Sequence, residues 1–291
     1  MPSAESADAL IPARSQRQAM DWSLVLLSQG IESVIQETEV GWGLVIPSHA
    51  RQRALEVLRQ YHHENRSWRW HRRLRWPEFS FHFGVLIWCL LLIGVHWWSS
   101  LPGTHLKSLG TLHSLAVLNG AWWQLFTATA LHADLAHLMA NLTTGFLLLG
   151  LAMGRYGASC ALLATYLAGA AGNLCGVLLR AEPYHGLGAS GIVMGGLGLL
   201  AVQSLTLYRT RPFLGRYLVM GLMACGMLFV LLGADPASDV LAHLGGLAAG
   251  LVFGVLLAAI PQHTLLTTKI NLGAGVLLGL LFLVTWAAAL S

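Results

Sequence analysis

From residue 81 onward, long apolar runs alternate with short polar interruptions. Seven of these runs, over 81–99, 132–153, 158–179, 190–208, 215–233, 240–260 and 270–290, could each cross about 30 Å of hydrocarbon. Helices are required there, because an unpaired backbone amide in lipid is too costly and no strand pattern is present. The chain before them reads differently. Residues 21–46 mix a short apolar run with a near-alternating stretch ending in GWGLVI, which predicts strands. Ser48 can cap a helix over 50–65, where Ala54, Leu55, Leu58 and Tyr61 form an apolar face. Residues 1–20, short of large apolar side chains, are expected to be disordered. The pattern thus gives a small α+β domain over 21–78 and a polytopic all-α membrane domain after it.

Composition sharpens this division. Of 291 residues, 55% are hydrophobic and 10% charged, against about 25% charged in a typical soluble domain. Residues 1–78 hold ten Lys or Arg and nine Asp or Glu; residues 79–291 hold seven and four. A formal net charge of +4, largely balanced locally, gives no basis for a nucleic-acid partner. The run His71, Arg72, Arg73, Arg75 before the first span reads as a topology signal. With the N-terminus inside, Arg155, Arg209, Arg211, Arg216 and Lys269 fall on cytoplasmic connections. Lys107 and Arg180, with Asp134, Glu182, Asp235 and Asp239, fall outside. The N-terminal domain is therefore expected in the cytoplasm. The first eighteen residues have neither the apolar core of a signal peptide nor the character of an organellar presequence, which favours a bacterial inner membrane. Cys89, Cys160, Cys175 and Cys225 lie in apolar segments and read as packing residues. The outer loop 100–131, flanked by Trp97, Trp98, Trp122 and Trp123, is placed at the lipid headgroups, either as an anchor or as part of a substrate path. Nothing indicates an oligomeric state.

Polar side chains within apolar spans are functional candidates, because leaving them unpaired is expensive. Three clusters qualify: HADLAHLMAN with His132, His137 and Asn141; HGLGASGIVMGG with Ser190; and DVLAHLGGLAAG with His243. Spans two, four and six all run inward, so their first turns share one depth near the outer face. Gly188 and Gly191 leave room for a substrate backbone beside the Ser190 hydroxyl. That hydroxyl needs an adjacent base, and His243 is the best placed. Asp235 and Asp239 precede His243 by eight and four residues without a clear triad role, so a two-residue catalyst is favoured. His137 and Asn141, four apart, share one helix face and can aim donors at an oxyanion with the Ser190 backbone N–H. Asn141 can equally bond across helices. Zinc ligation by His132, His137 and His243 is the competing chemistry, disfavoured by the lack of HExxH and of a carboxylate base. Neither a metal nor an organic cofactor is expected. The Gly246, Gly250, Gly254 stripe lets span six approach another helix closely.

HxxxN at His137–Asn141, GxSG at Gly188–Gly191 and AHxxG at Ala242–Gly246, continuing to Gly250, occur in this order on spans two, four and six. Over about residues 80–260 the chain resembles the rhomboid intramembrane serine proteases. The resemblance implies a six-helix catalytic core over 79–260, with 261–291 as a linker and a seventh helix. It implies Ser190 as nucleophile, His243 as base, and an oxyanion hole from His137, Asn141 and the Ser190 N–H. His132 takes a supporting role in structure or water retention. The implied partners are transmembrane protein substrates and the surrounding membrane lipids. Three positions depart from the family pattern. Gln124 follows Trp123 where an arginine is usual, which is expected to weaken loop anchoring. Met194 stands where an aromatic commonly stacks on the base, and GLAMGRYG lacks a common glutamate. A catalytically silent rhomboid-like protein that binds or escorts membrane proteins is the alternative.

Overall fold

The structure, a computed structural model, describes residues 8–38, 41–65, 80–203, 215–234 and 238–291. The basic run at 71–75, Arg209, Arg211 and Asp235 lie outside the described residues. The chain divides into two compact units, Met1–Trp76 and Pro77–Ser291.

The first unit orders as β1 (Asp8–Ala13), α1 (Gln16–Ser28), β2 (Val34–Thr38), β3 (Gly41–Pro47) and α2 (Arg51–Asn65). Its antiparallel sheet has the order β1–β3–β2, with Leu10 opposite Val45 and Val34 opposite the same residue from the other side. Two expectations are corrected here. Residues 8–20 are not disordered: they form β1 and the start of α1. Residues 21–28 are helical rather than extended. Short-range bonds explain the helix start. Ser15 Oγ accepts the Gln18 N–H at 3.3 Å, while Gln18 Oε1 reaches back to the Arg14 N–H at 2.7 Å. This is close to a reciprocal capping box. Burial supplies the rest, since Ile11, Ala19 and Leu26 enter one core with Leu44, Ile46, Ala54 and Leu58. The helix α2 starts at Arg51 after a 3₁₀ turn over Ser48–Ala50, and it buries Ala54 and Leu58 as the periodicity required.

Among its described residues the second unit has seven apolar helices: α3 (Val85–Ser99), α4 (Leu135–Tyr156), α5 (Ala158–Leu179), α6 (Ser190–Ala201), α7 (Gly215–Gly233), α8 (Val240–Ala258) and α9 (Thr268–Leu290). Four of them, α4, α5, α8 and α9, are long and apolar enough to cross a membrane; α3, α6 and α7 are shorter apolar helices. The protein is a polytopic helical membrane protein. At its centre is α6, where every residue from Gly191 to Leu199 is buried. So short a helix can be central because it is rich in glycine and packs backbone to backbone. A Cβ on Gly246 would lie 2.5 Å from the Gly191 carbonyl oxygen, and one on Gly250 would strike the Gly195 carbonyl. One on Gly254 would approach the Leu199 Cα to 3.1 Å. Contacts 191–246, 195–250 and 199–254 advance together, so α6 and α8 run parallel in one register. The other flank of α8 meets α5, where a Cβ on Gly245 would lie 2.5 Å from the Cys175 Cβ. The glycine stripe therefore wedges α8 between two helices.

Between α3 and α4 the chain forms short helices over Leu106–Gly110, Ser114–Leu118 and Gln124–Thr127, and a short strand, β4 (Leu112–His113). That strand pairs antiparallel with β5 (His185–Gly186), just ahead of α6. Trp97, Trp98 and Trp122 are exposed, as side chains suited to the headgroup region. Gln124 makes a contact of its own within this loop. It is buried, and its Oε1 accepts the His113 N–H at 2.9 Å. Gln124→Ala should strand that N–H at a cost of about 1–2 kcal/mol. Hydrogen exchange at residues 112–114 should then accelerate, and unchanged protection would show that the loop is held elsewhere.

Candidate active site

Each polar cluster sits at a helix start for a local reason. Asp134 caps α4, accepting the His137 N–H at 2.8 Å, which fixes the first turn that carries His137 and Asn141. Gly188 has a φ of 134°, a conformation that L side chains avoid, and this lets the chain turn sharply into α6. Its N–H donates to the Ala128 carbonyl at 2.9 Å. Ser190 is the first residue of α6, so its N–H has no acceptor within the helix. Asp239 caps α8, accepting the Ala242 N–H at 3.0 Å one residue before His243.

These starts converge. A Cβ on Gly188 would lie 2.8 Å from both Nε2 and Cε1 of His137, and 3.9 Å from Asn141 Nδ2. The turn preceding Ser190 is therefore lined by the two side chains singled out as oxyanion donors. The parallel register of α6 and α8 sets His243 at the height of the same turn. Asn141 is buried and gives one amide hydrogen to the His137 carbonyl at 3.1 Å, leaving its second for another acceptor. His132 is fully buried, and its Nε2 accepts the Ala189 N–H in a long 3.4 Å bond. Since an amide only donates, that nitrogen is unprotonated and the ring is neutral. His132 and His137 meet edge to face at 5.2 Å. His132 thus meets the turn at Ala189, directly ahead of Ser190.

His243, also buried, has its Nδ1 2.8 Å from the carbonyl oxygen of Gly233, at the end of α7. A carbonyl can only accept, so Nδ1 carries a proton, and in the neutral ring the lone pair falls on Nε2. A backbone carbonyl, not a carboxylate, is thus the partner of Nδ1. The sequence could not reveal this residue, because a carbonyl has no side-chain signature. Asp239 is occupied by its cap and by Arg180, whose Nη2 lies 2.6 Å from Asp239 Oδ1. Met194 is buried near the end of α7. Its sulfur lies 3.2 Å from the position of a Cβ on Gly233, so it packs beside the residue that orients the ring. Among the described residues no group of three or more His, Cys, Asp or Glu side chains is arranged to hold a metal ion. The four cysteines are free thiols.

The half-buried Ser190 at the start of α6, His243 on α8 and the His137 and Asn141 side chains thus gather around one turn of a membrane protein. The model of the Rhomboid domain matches residues 119–260. Two proteins of Bacillus subtilis (strain 168) are similar to it. The rhomboid protease GluP is 28% identical over 183 residues, 62% of this chain and 35% of that protein. YdcA, provisionally designated a rhomboid protease, is 28% identical over 180 residues, 60% of this chain and 88% of that protein. The chain thus spans about a third of the length of the first and most of the second.

Proposed function

We propose that this protein is an intramembrane serine endopeptidase that cleaves transmembrane protein substrates. The observation that carries the reading is the His243 ring, held by the Gly233 carbonyl with Nε2 free, on a helix packed backbone to backbone against the one Ser190 begins. His243 Nε2 takes the Ser190 hydroxyl proton as Oγ attacks the scissile carbonyl carbon. The oxyanion is met by the Ser190 N–H, the second Asn141 amide hydrogen and His137, donors whose individual loss typically costs about 3 kcal/mol in the transition state. Protonated His243 then donates to the leaving amine, and a water molecule hydrolyses the acyl-enzyme. No metal or organic cofactor takes part. A substrate helix must uncoil locally to present its carbonyl, so small residues near the cut favour cleavage. Positive residues on one set of connections put the N-terminal domain in the cytoplasm and the site toward the exterior or periplasmic side, in a bacterial inner membrane. The names of the two relatives support the class of reaction.

The test is chemical. A fluorophosphonate should label the protein stoichiometrically in liposomes, with peptide mapping placing the adduct on Ser190. The same liposomes should cleave a transmembrane reporter helix, unaffected by chelator. An adduct on another residue, or cleavage without any adduct, would overturn the assignment.

A further inference from the structure

Three pieces of chain on the outer side of the bundle meet at one guanidinium. Arg180 follows the last residue of α5. Its Nη2 lies 2.6 Å from Asp239 Oδ1, and its guanidinium carbon sits 4.4 Å from the centre of the Tyr184 ring. Asp239 is the cap of α8, and its own carbonyl accepts the His243 N–H at 2.9 Å. Tyr184 lies six residues before Ser190. Its N–H donates to Ser114 Oγ at 3.0 Å, its carbonyl accepts the Ser114 N–H at 3.1 Å, and its hydroxyl donates to the Asn173 carbonyl at 3.2 Å. Asn173 Nδ2 in turn donates to the Leu125 carbonyl at 2.7 Å. One cation therefore ties the loop leading to Ser190, and through Ser114 and Leu125 the outer loop before α4, to the first turn of the helix that carries His243.

We infer that Arg180 and Asp239 are positioning residues, a latch that holds the His243 turn against the Ser190 loop; the inference rests on the serine mechanism proposed above. Glycine contacts fix α6 and α8 along their length, but they end at Gly191 and Gly246. Ser190 and His243 both lie beyond that last glycine contact between α6 and α8, although Ala242 still packs on α5 at Gly172. The latch closes this gap. Its chemistry suits a positioning task, since the planar guanidinium serves a carboxylate through its edge and an aromatic ring through its face at the same time. Side-chain exposures of 33% for Arg180 and 24% for Asp239 keep the pair in contact with water. Such a pair adds little to global stability, so its effect should show in geometry and rate. The Asp239 carboxylate both caps α8 and binds Arg180, and asparagine caps about as well as aspartate without the charge.

The experiment uses Arg180→Met, Asp239→Asn and the double variant, each in liposomes beside the parent protein. Reporter cleavage and the rate of Ser190 labelling by fluorophosphonate are read together. Each single variant should lower kcat and the labelling rate about five- to tenfold at unchanged KM, the size of coupling such a pair carries. The double variant should be no slower than the slower single, and Arg180→Lys should recover part of the rate. Raising salt should slow the parent and leave the single variants unchanged, because an ion pair in contact with water is screened. Rates within twofold of the parent, additive losses, or losses confined to KM or to thermal stability would each overturn the latch. Failure of the parent to label at Ser190 would remove the serine mechanism and the latch with it, whereas a labelled parent with unaffected variants would remove the latch alone.

Discussion

Replacing Ser190 by alanine should lower kcat by about 10⁴-fold or more while leaving the protein inserted and folded. The side chain lost is a single oxygen at the half-buried start of α6, and α6 itself is held by Gly191, Gly195 and Leu199 against α8. Stability should therefore change by no more than about 0.5 kcal/mol. His243→Ala should cost a similar factor, and the double variant should be no slower than either single, because nucleophile and base act as one unit. His243→Ala also strips the Gly233 carbonyl of its imidazole partner inside the bundle, so its thermal unfolding should drop by more than that of Ser190→Ala. This difference separates the two variants although both are inactive. Cleavage by Ser190→Ala within tenfold of the parent would show that the hydroxyl is not the nucleophile, whatever the remaining geometry.

What could be seen in the chain beforehand follows from how far each interaction reaches. The seven apolar helices were legible because hydrophobic runs and their polar breaks are local features. The α8 stripe was legible as a close-packing face for the same reason, since Gly246, Gly250 and Gly254 recur every four residues. Its partner was not, because Gly191 and Gly195 become the facing surface only through a register of parallel helices. Residues 8–20 were misread because local hydrophobicity undercounts a strand whose stability comes from pairing with β3 some thirty residues on. The polar side chains of the site stood out by type and depth. The groups that orient them did not. The Gly233 carbonyl acts through its backbone, Gln124 meets His113 across a folded loop, and Arg180 finds Asp239 fifty-nine residues away. Each belongs to the fold and to no motif.

Gly246→Val should lower activity about 100-fold even where the protein still inserts. The added Cβ would sit 2.5 Å from the Gly191 carbonyl oxygen, one residue past Ser190 and one turn past His243. Relief by moving α8 away from α6 is blocked, because a Cβ on Gly172 of α5 would already lie 2.9 Å from the Gly246 nitrogen. The helices must part by a fraction of an ångström to an ångström at the level of the dyad, and a misplacement of about 1 Å is enough for about a 100-fold loss of rate. Overpacking of this kind should also destabilise the fold by about 1–3 kcal/mol. Gly279→Ala on α9 is the control, since its Cβ would meet nothing within 4 Å. It should keep full activity and gain up to about 1 kcal/mol from helix propensity. If Gly246→Val cut its substrate at the parent rate, Ser190 and His243 would not depend on the contact between α6 and α8.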